Sequence, residues 1–183
     1  MADTEANYLD VFPTWLRSLG DDAEKLGQLC AEAALPEAAR QPLAGGVNYI
    51  FKSLDLVPDG IDDIGYLDDA FVLRVAADLA LREDLSALSP EALRGLNRLG
   101  EEAALIRDFL GEDYARLEGY VAGLRKVAAR GRSVQDIVRG GTVQAAFLSD
   151  VRGFARAYEA PSFSREEKNL VKLRAFFDAK LPK

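Results

Sequence analysis

Six aspartates, Asp55, Asp59, Asp62, Asp63, Asp68 and Asp69, are threaded between apolar residues in the short run from Ser53 to Asp69. The same run holds Pro58, Gly60 and Gly65. Proline drives the residue before it out of the helical region, and glycine allows a tight reversal, so the run reads as a compact turn. Between Gly46 and Ala70 the only base is Lys52, which gives this segment a formal charge of −5, one Lys against six Asp, out of −7 for the chain. A carboxylate taken out of water is costly unless it caps a helix, meets an Arg or Lys, or binds a cation. Whatever fold the chain adopts must place its flanking elements so that these apolar residues are buried and the acids between them are provided for.

On both sides of the turn, apolar residues recur at helical spacing and runs of β-branched alternation are missing, so the expected fold is all-α, a single bundle of about eight helices. The first two are read over 4–19 and 22–35, with Gly20 between them, Asp21-Asp22-Ala23-Glu24 as a capping box and Pro13 as a kink. A third covers 37–54, its start weakened by Gly45-Gly46. After the turn, 66–83 reads as the central helix, with Val72, Leu73, Val75, Ala76 and Leu79 covering one side and Arg74, Asp78 and Arg82 forming a charged stripe on the other. Ser89-Pro90 starts a helix that runs to Leu110. The next repeats Tyr114, Leu117, Val121, Leu124 and Ala128 as a narrow seam. Arg130-Gly131-Arg132 is a break, Ser133 caps a short helix, and Gly140-Gly141 precedes one carrying Val143, Phe147, Val151, Phe154 and Tyr158. Pro161 stops that helix, and Ser164-Arg165-Glu166-Glu167 reads as a capping box for the last.

Composition narrows the chemistry. At 183 residues and 49% hydrophobic content the expectation is one domain, and the acidic start of the chain carries no leader-like pattern, so the expected location is the cytoplasm. The chain has no histidine and one cysteine, Cys30. That excludes histidine-dependent catalytic sites built within the chain and makes zinc a poor fit, leaving hard cations held by oxygen. Cys30 lies in an amphipathic Ala/Leu pattern and reads as a small core residue. A pI near 4.8 and the lack of a nucleic-acid-binding motif argue against nucleic acid as a partner.

The pattern Asp55-Leu56-Val57-Pro58-Asp59, then Ile61, then Gly65-Tyr66-Leu67-Asp68-Asp69 resembles the signature of the YkvA-like family, a bacterial domain of unknown function. The resemblance covers Tyr49 to Leu81 and departs from the family at Asp62, where members more often carry a second proline. It implies a helix, a rigid Pro-bearing turn and a second helix, and no established reaction.

Two sets of residues are candidates for function. Asp68 and Asp69 fall in the first turn of a helix, where free N–H groups and the helix dipole favour a carboxylate, and Asp69 projects toward the packed side. Asp59, Asp63 and Asp69, converging across the turn, would make an oxygen site for Mg²⁺ or Ca²⁺; Asp55 and Asp68 complete the candidate ligands. The second set is basic. From Gly123 to Arg156, seven Arg and Lys face only Asp136 and Asp150, and Arg125, Lys126, Arg130, Arg132 and Arg139 are the candidate partner contacts. The leading expectation is therefore a non-catalytic interaction or adaptor module without a cofactor, binding a protein partner or a second copy of itself. The alternative is a divalent-cation-binding protein, with metal-dependent phosphoester hydrolysis as its extreme form. Peripheral membrane contact is the least favoured reading, because charges interrupt the central helix.

Overall fold

The computed structural model describes residues 2–183, and the side chains of residues 2–4 and 6 lie outside that description. It is all-α. The elements are α1 (Ala2–Cys30), α2 (Glu37–Tyr49), α3 (Leu67–Ala80), α4 (Pro90–Leu110), α5 (Asp113–Gly123), α6 (Val134–Arg139), α7 (Gly141–Ala157) and α8 (Glu167–Lys180). A 3₁₀ turn over Leu124–Lys126 follows α5, and a small antiparallel hairpin, β1 (Ala128–Ala129) and β2 (Arg132–Ser133), carries Arg130-Gly131 at its tip. Among the described residues no helix is long and apolar enough to cross a membrane.

The central position of α3 follows from its composition. Leu67, Ala70, Phe71, Val72, Leu73, Val75, Ala76 and Ala77 are all buried, which leaves almost no face of the helix for solvent. It packs on α2 and α4 and also touches α1 and α5. The contact with α2 is close because Gly46 has no side chain: a Cβ there would stand 2.7 Å from the Cβ of Ala76. Gly45-Gly46 thus sets the distance between two helices at some cost to helix propensity. Phe71 joins Phe12, Trp15, Phe109 and Phe177 in an aromatic cluster at the centre of the core, with ring centroids 5.1–5.9 Å apart.

Several sequence expectations are corrected. The first two helices are one, since α1 runs unbroken through Pro13, Gly20 and the supposed capping box. Gly20 serves close packing: a Cβ there would meet the backbone of Ala155 in α7 at 3.3 Å. Asp22 caps nothing; it is buried and paired with Arg74 and Arg98. Arg74 is likewise not on an exposed stripe. Its side chain has 0% exposure, because α1 and α4 cover that side of α3. Asp78 and Arg82 are the partly exposed remainder and pair at 2.8 Å. The third helix ends at Tyr49, short of Leu54, and the seam helix ends at Gly123. Ser164 does not cap α8, whose N-cap residue Glu166 makes no side-chain cap bond. By contrast, Ser89 and Ser133 cap as expected, their hydroxyls accepting from the N–H of Ala92 and Asp136. Cys30 is buried, and burial pushes its thiol up to about 12, consistent with an inert core residue.

Candidate functional site

The turn between α2 and α3 is held from beneath by its apolar residues. Leu56, Val57 and Ile64 are buried, so the acids between them are forced into defined places. Gly65 lies against Asp59 so tightly that a Cβ would collide with the Asp59 carbonyl. Asp63 and Tyr66 both adopt left-handed backbone, with φ of 70° and 65°. For a tyrosine this conformation is strained, and it puts the Tyr66 side chain beside Asp59 at the entry to α3.

Asp68 is the fastener of this arrangement. One of its oxygens, Oδ2, accepts from the Tyr49 hydroxyl at 2.5 Å and from the Val57 N–H at 3.0 Å. The Tyr49 hydroxyl in turn accepts from the Leu56 N–H at 2.7 Å. The end of α2, the turn and the start of α3 therefore meet at one buried hydrogen-bonded junction. The sequence reading had missed Tyr49; its signal is a tyrosine placed just before a buried acidic turn, where a hydroxyl can both donate and accept. The other oxygen of Asp68, Oδ1, and Oδ2 of Asp69 are buried and accept nothing among the described residues.

Four of the acids are raised, three of them partly by their neighbours. Asp69, fully buried, is pushed well above the carboxylate range by loss of water, then by Asp68, Asp59 and Asp55, with only its own backbone N–H opposing. Asp68 is raised by burial too, partly offset by Tyr49 and Val57. Asp55, half-buried, is pushed up to about 6 by burial and by Asp59, against Lys52. Asp59 is raised by desolvation, eased by the neighbouring Tyr66 hydroxyl. Lys52 spends its ammonium elsewhere, donating to the Tyr120 hydroxyl at 2.7 Å.

Asp63 stands apart from these four. Its carboxylate accepts from the backbone N–H of Ser164 at 2.8 Å and from the Ser164 hydroxyl at 3.0 Å, and these bonds hold it below its ordinary value. It fastens the segment before α8 to the turn. The expected convergence of Asp59, Asp63 and Asp69 is thus replaced by a grouping of Asp55, Asp59, Asp68 and Asp69. Among the described residues no three acidic groups stand close enough together to hold a metal ion as they are placed.

The basic set divides as well. Arg130 and Arg132 both donate to Asp150, at 3.3 and 2.8 Å, and Arg130 lies over the Phe51 ring. They brace the hairpin against α7. Arg139 is within 3.7 Å of Asp136 on its own helix. Arg125 and Lys126 are exposed and have no ion pair among the described residues. Arg125 borders a cleft of about 310 Å³ with Ala38, Gln41, Arg82 and Glu83, while larger clefts of about 410 and 560 Å³ lie between α1 and α4 and beside α5. None of these three clefts is lined by an aspartate of the turn. No family model matches the chain, and neither a curated protein nor a solved structure matches it.

Proposed function

We propose that the protein is a non-catalytic interaction module whose YkvA-like turn between α2 and α3 contacts a protein partner. The observation that carries this reading is Leu54, whose exposure is 79% at the crest of a turn fastened from beneath. Asp59 and Asp62 of the same turn are also exposed and have no ion pair among the described residues. A rigid turn with a bare leucine among unpaired acids suits a partner that presents an apolar side chain beside basic ones. Arg125 and Lys126 supply a second, oppositely charged surface, which leaves a further copy of the chain as one such partner. The absence of histidine removes the usual general base and fits a binding role.

The test is cross-linking capture with the wild-type chain and with a Leu54→Ser, Asp62→Asn variant, alongside sedimentation of each alone. The expected result is loss of the captured protein, or of self-association, with an unchanged melting temperature. Identical capture by both chains sinks the proposal.

A further inference from the structure

The cleft of about 560 Å³ beside α5 is mostly apolar and open to solvent. Ala115, Gly119 and Gly123 line it at intervals of four residues along one face of the helix, together with Tyr120, Leu124 and Val127. Pro182 and Lys183 border it, held there by Arg116, which donates to the carbonyls of Leu181 and Pro182 at 2.6 and 3.1 Å. Glycine weakens a helix, and elsewhere in this chain that weakness goes with close packing. A Cβ at Gly20, Gly46 or Gly100 would press on a neighbouring element, whereas one at Gly119 or Gly123 would meet nothing of its own chain. Gly95 and Gly153 are equally open, but no unpaired acid and base stand at equal distances from either within its helix.

The charges of this face are complementary to themselves. Glu112 stands seven residues before Gly119 and Lys126 seven after, about two turns on either side, so both share its face. Helical winding runs from Glu112 through α5 and the 3₁₀ turn to Lys126. Both side chains are exposed, and neither has an ion pair among the described residues. The other charges of α5 are occupied within the chain: Arg116 and Asp113 pair with each other, Arg116 also meets Asp178, and Glu118 meets Arg82. We propose that this groove is a self-association surface, across which α5 of a second copy lies antiparallel, with the two-fold axis at Gly119. In that register Ala115 meets Gly123 and Glu112 meets Lys126, and each contact occurs twice by symmetry. The small residues let the helices approach closely, while Tyr120, Leu124 and Val127 add apolar cover. The occupant is a second copy because the face carries a free acid and a free base at equal distances from one point. Leu54 and the acidic turn lie outside this groove, so the inference does not rest on the interaction reading.

The experiment is sedimentation equilibrium of the full chain over a concentration series at low salt, with Gly119→Leu, Glu112→Lys, Lys126→Glu and the double reversal of Glu112 and Lys126. An interface centred on one pair of short helices is small, so the wild-type chain is expected to dimerise with a dissociation constant in the micromolar range. The Gly119→Leu side chain has open space in the single chain, so the dilute variant should melt no lower than the wild type while its dimerisation weakens at least about tenfold. Each single reversal sets like charges together and should weaken it similarly, and the double reversal should restore about the wild-type value. A chain that stays monomeric at millimolar concentration overturns the proposal, as does a double reversal no better than the singles. A dimer lost in the Leu54→Ser, Asp62→Asn variant but kept in Gly119→Leu also overturns it, and places the self-contact at the turn instead.

Discussion

Two groups of buried charge lie along α3, and they are built in opposite ways. In the middle of the helix Arg74 donates to Glu102 at 2.7 Å and lies 3.4 Å from Asp22, while Arg98 reaches Asp22 at 2.6 Å. Arg74 also donates to the Ala70 carbonyl and stacks over the Trp15 ring at 4.2 Å. Two arginines meet two acids, so the group is neutral and its polar atoms are occupied. At the start of the helix four carboxylates gather with one lysine that is turned away. Burial is common to both groups. What separates them is the opposite charge, which the fold supplies to the first group and withholds from the second. A neutral, hydrogen-bonded network needs no ligand, whereas an unbalanced one must take up a proton or a cation.

The comparison breaks most sharply if the compensated network is opened. Arg74→Met keeps most of the side-chain volume but leaves Asp22 buried with Arg98 alone and Glu102 with a weaker partner. Losing one member of a buried pair costs about 3–5 kcal/mol. Denaturant melting should show a loss in that range, and Asp22→Leu on the same background should recover much of it, because the uncompensated charge is then gone. A loss under about 1 kcal/mol would mean that the network is dispensable.

The uncompensated group should respond with the opposite sign. Asp69→Asn removes a buried charge site that has no positive partner, so near neutral pH the variant should be more stable by about 1–3 kcal/mol. The pH dependence follows from linkage. In the native chain Asp55, Asp68 and Asp69 hold their protons more tightly than an unfolded aspartate does. Their contribution is therefore complete below the unfolded value, near pH 4, and is lost as pH rises through the raised native values. For Asp55 that window closes around 6. Melting across this range should show wild-type stability falling with pH and a flatter profile for Asp69→Asn; parallel profiles would refute the assignment.

These two groups were not equally visible in the sequence. The acidic one announced itself, and helical spacing correctly turned Asp69 inward, because both signals are local. Asp63 was placed with it wrongly: its partner, Ser164, is 101 residues away, and spacing within the turn carries no trace of that contact. Arg74 was read as exposed because Asp78 and Arg82 follow it at the spacing of a surface stripe. The stripe is real only in its second half, since α1 and α4 close over the first. The continuity of α1 was hidden for a related reason: Gly20 and Asp22 look like a stop and a start, yet one serves close approach to α7 and the other the pairing with Arg74. Caps at Ser89 and Ser133 were legible because a cap needs only its own next turn.

A smaller effect separates the fastening role of Asp68 from the charge it carries. Tyr49→Phe removes the hydroxyl that donates to Asp68 and accepts from Leu56. The Leu56 N–H then loses its acceptor, a change worth about 1–2 kcal/mol. Hydrogen exchange should show faster opening over 50–66 with α4 and α5 unaffected. If the whole chain loosened equally, the junction would be part of the global core and not a local clasp.

The smallest expected effect tests whether position or charge matters in the compensated network. Arg98 and Arg74 address the same Asp22, but the Arg98 side chain is 45% exposed. Water therefore replaces most of what it supplies, and Arg98→Ala should cost less than about 1 kcal/mol, shrinking further as salt is raised. Asp22 keeps Arg74 after that change, whereas Arg74→Met takes away the partner that water cannot reach. If the two arginine variants were equally damaging, compensation in the middle of α3 would depend on counting charges alone. A severalfold difference ties it to the enclosed guanidinium, the partner that water cannot replace.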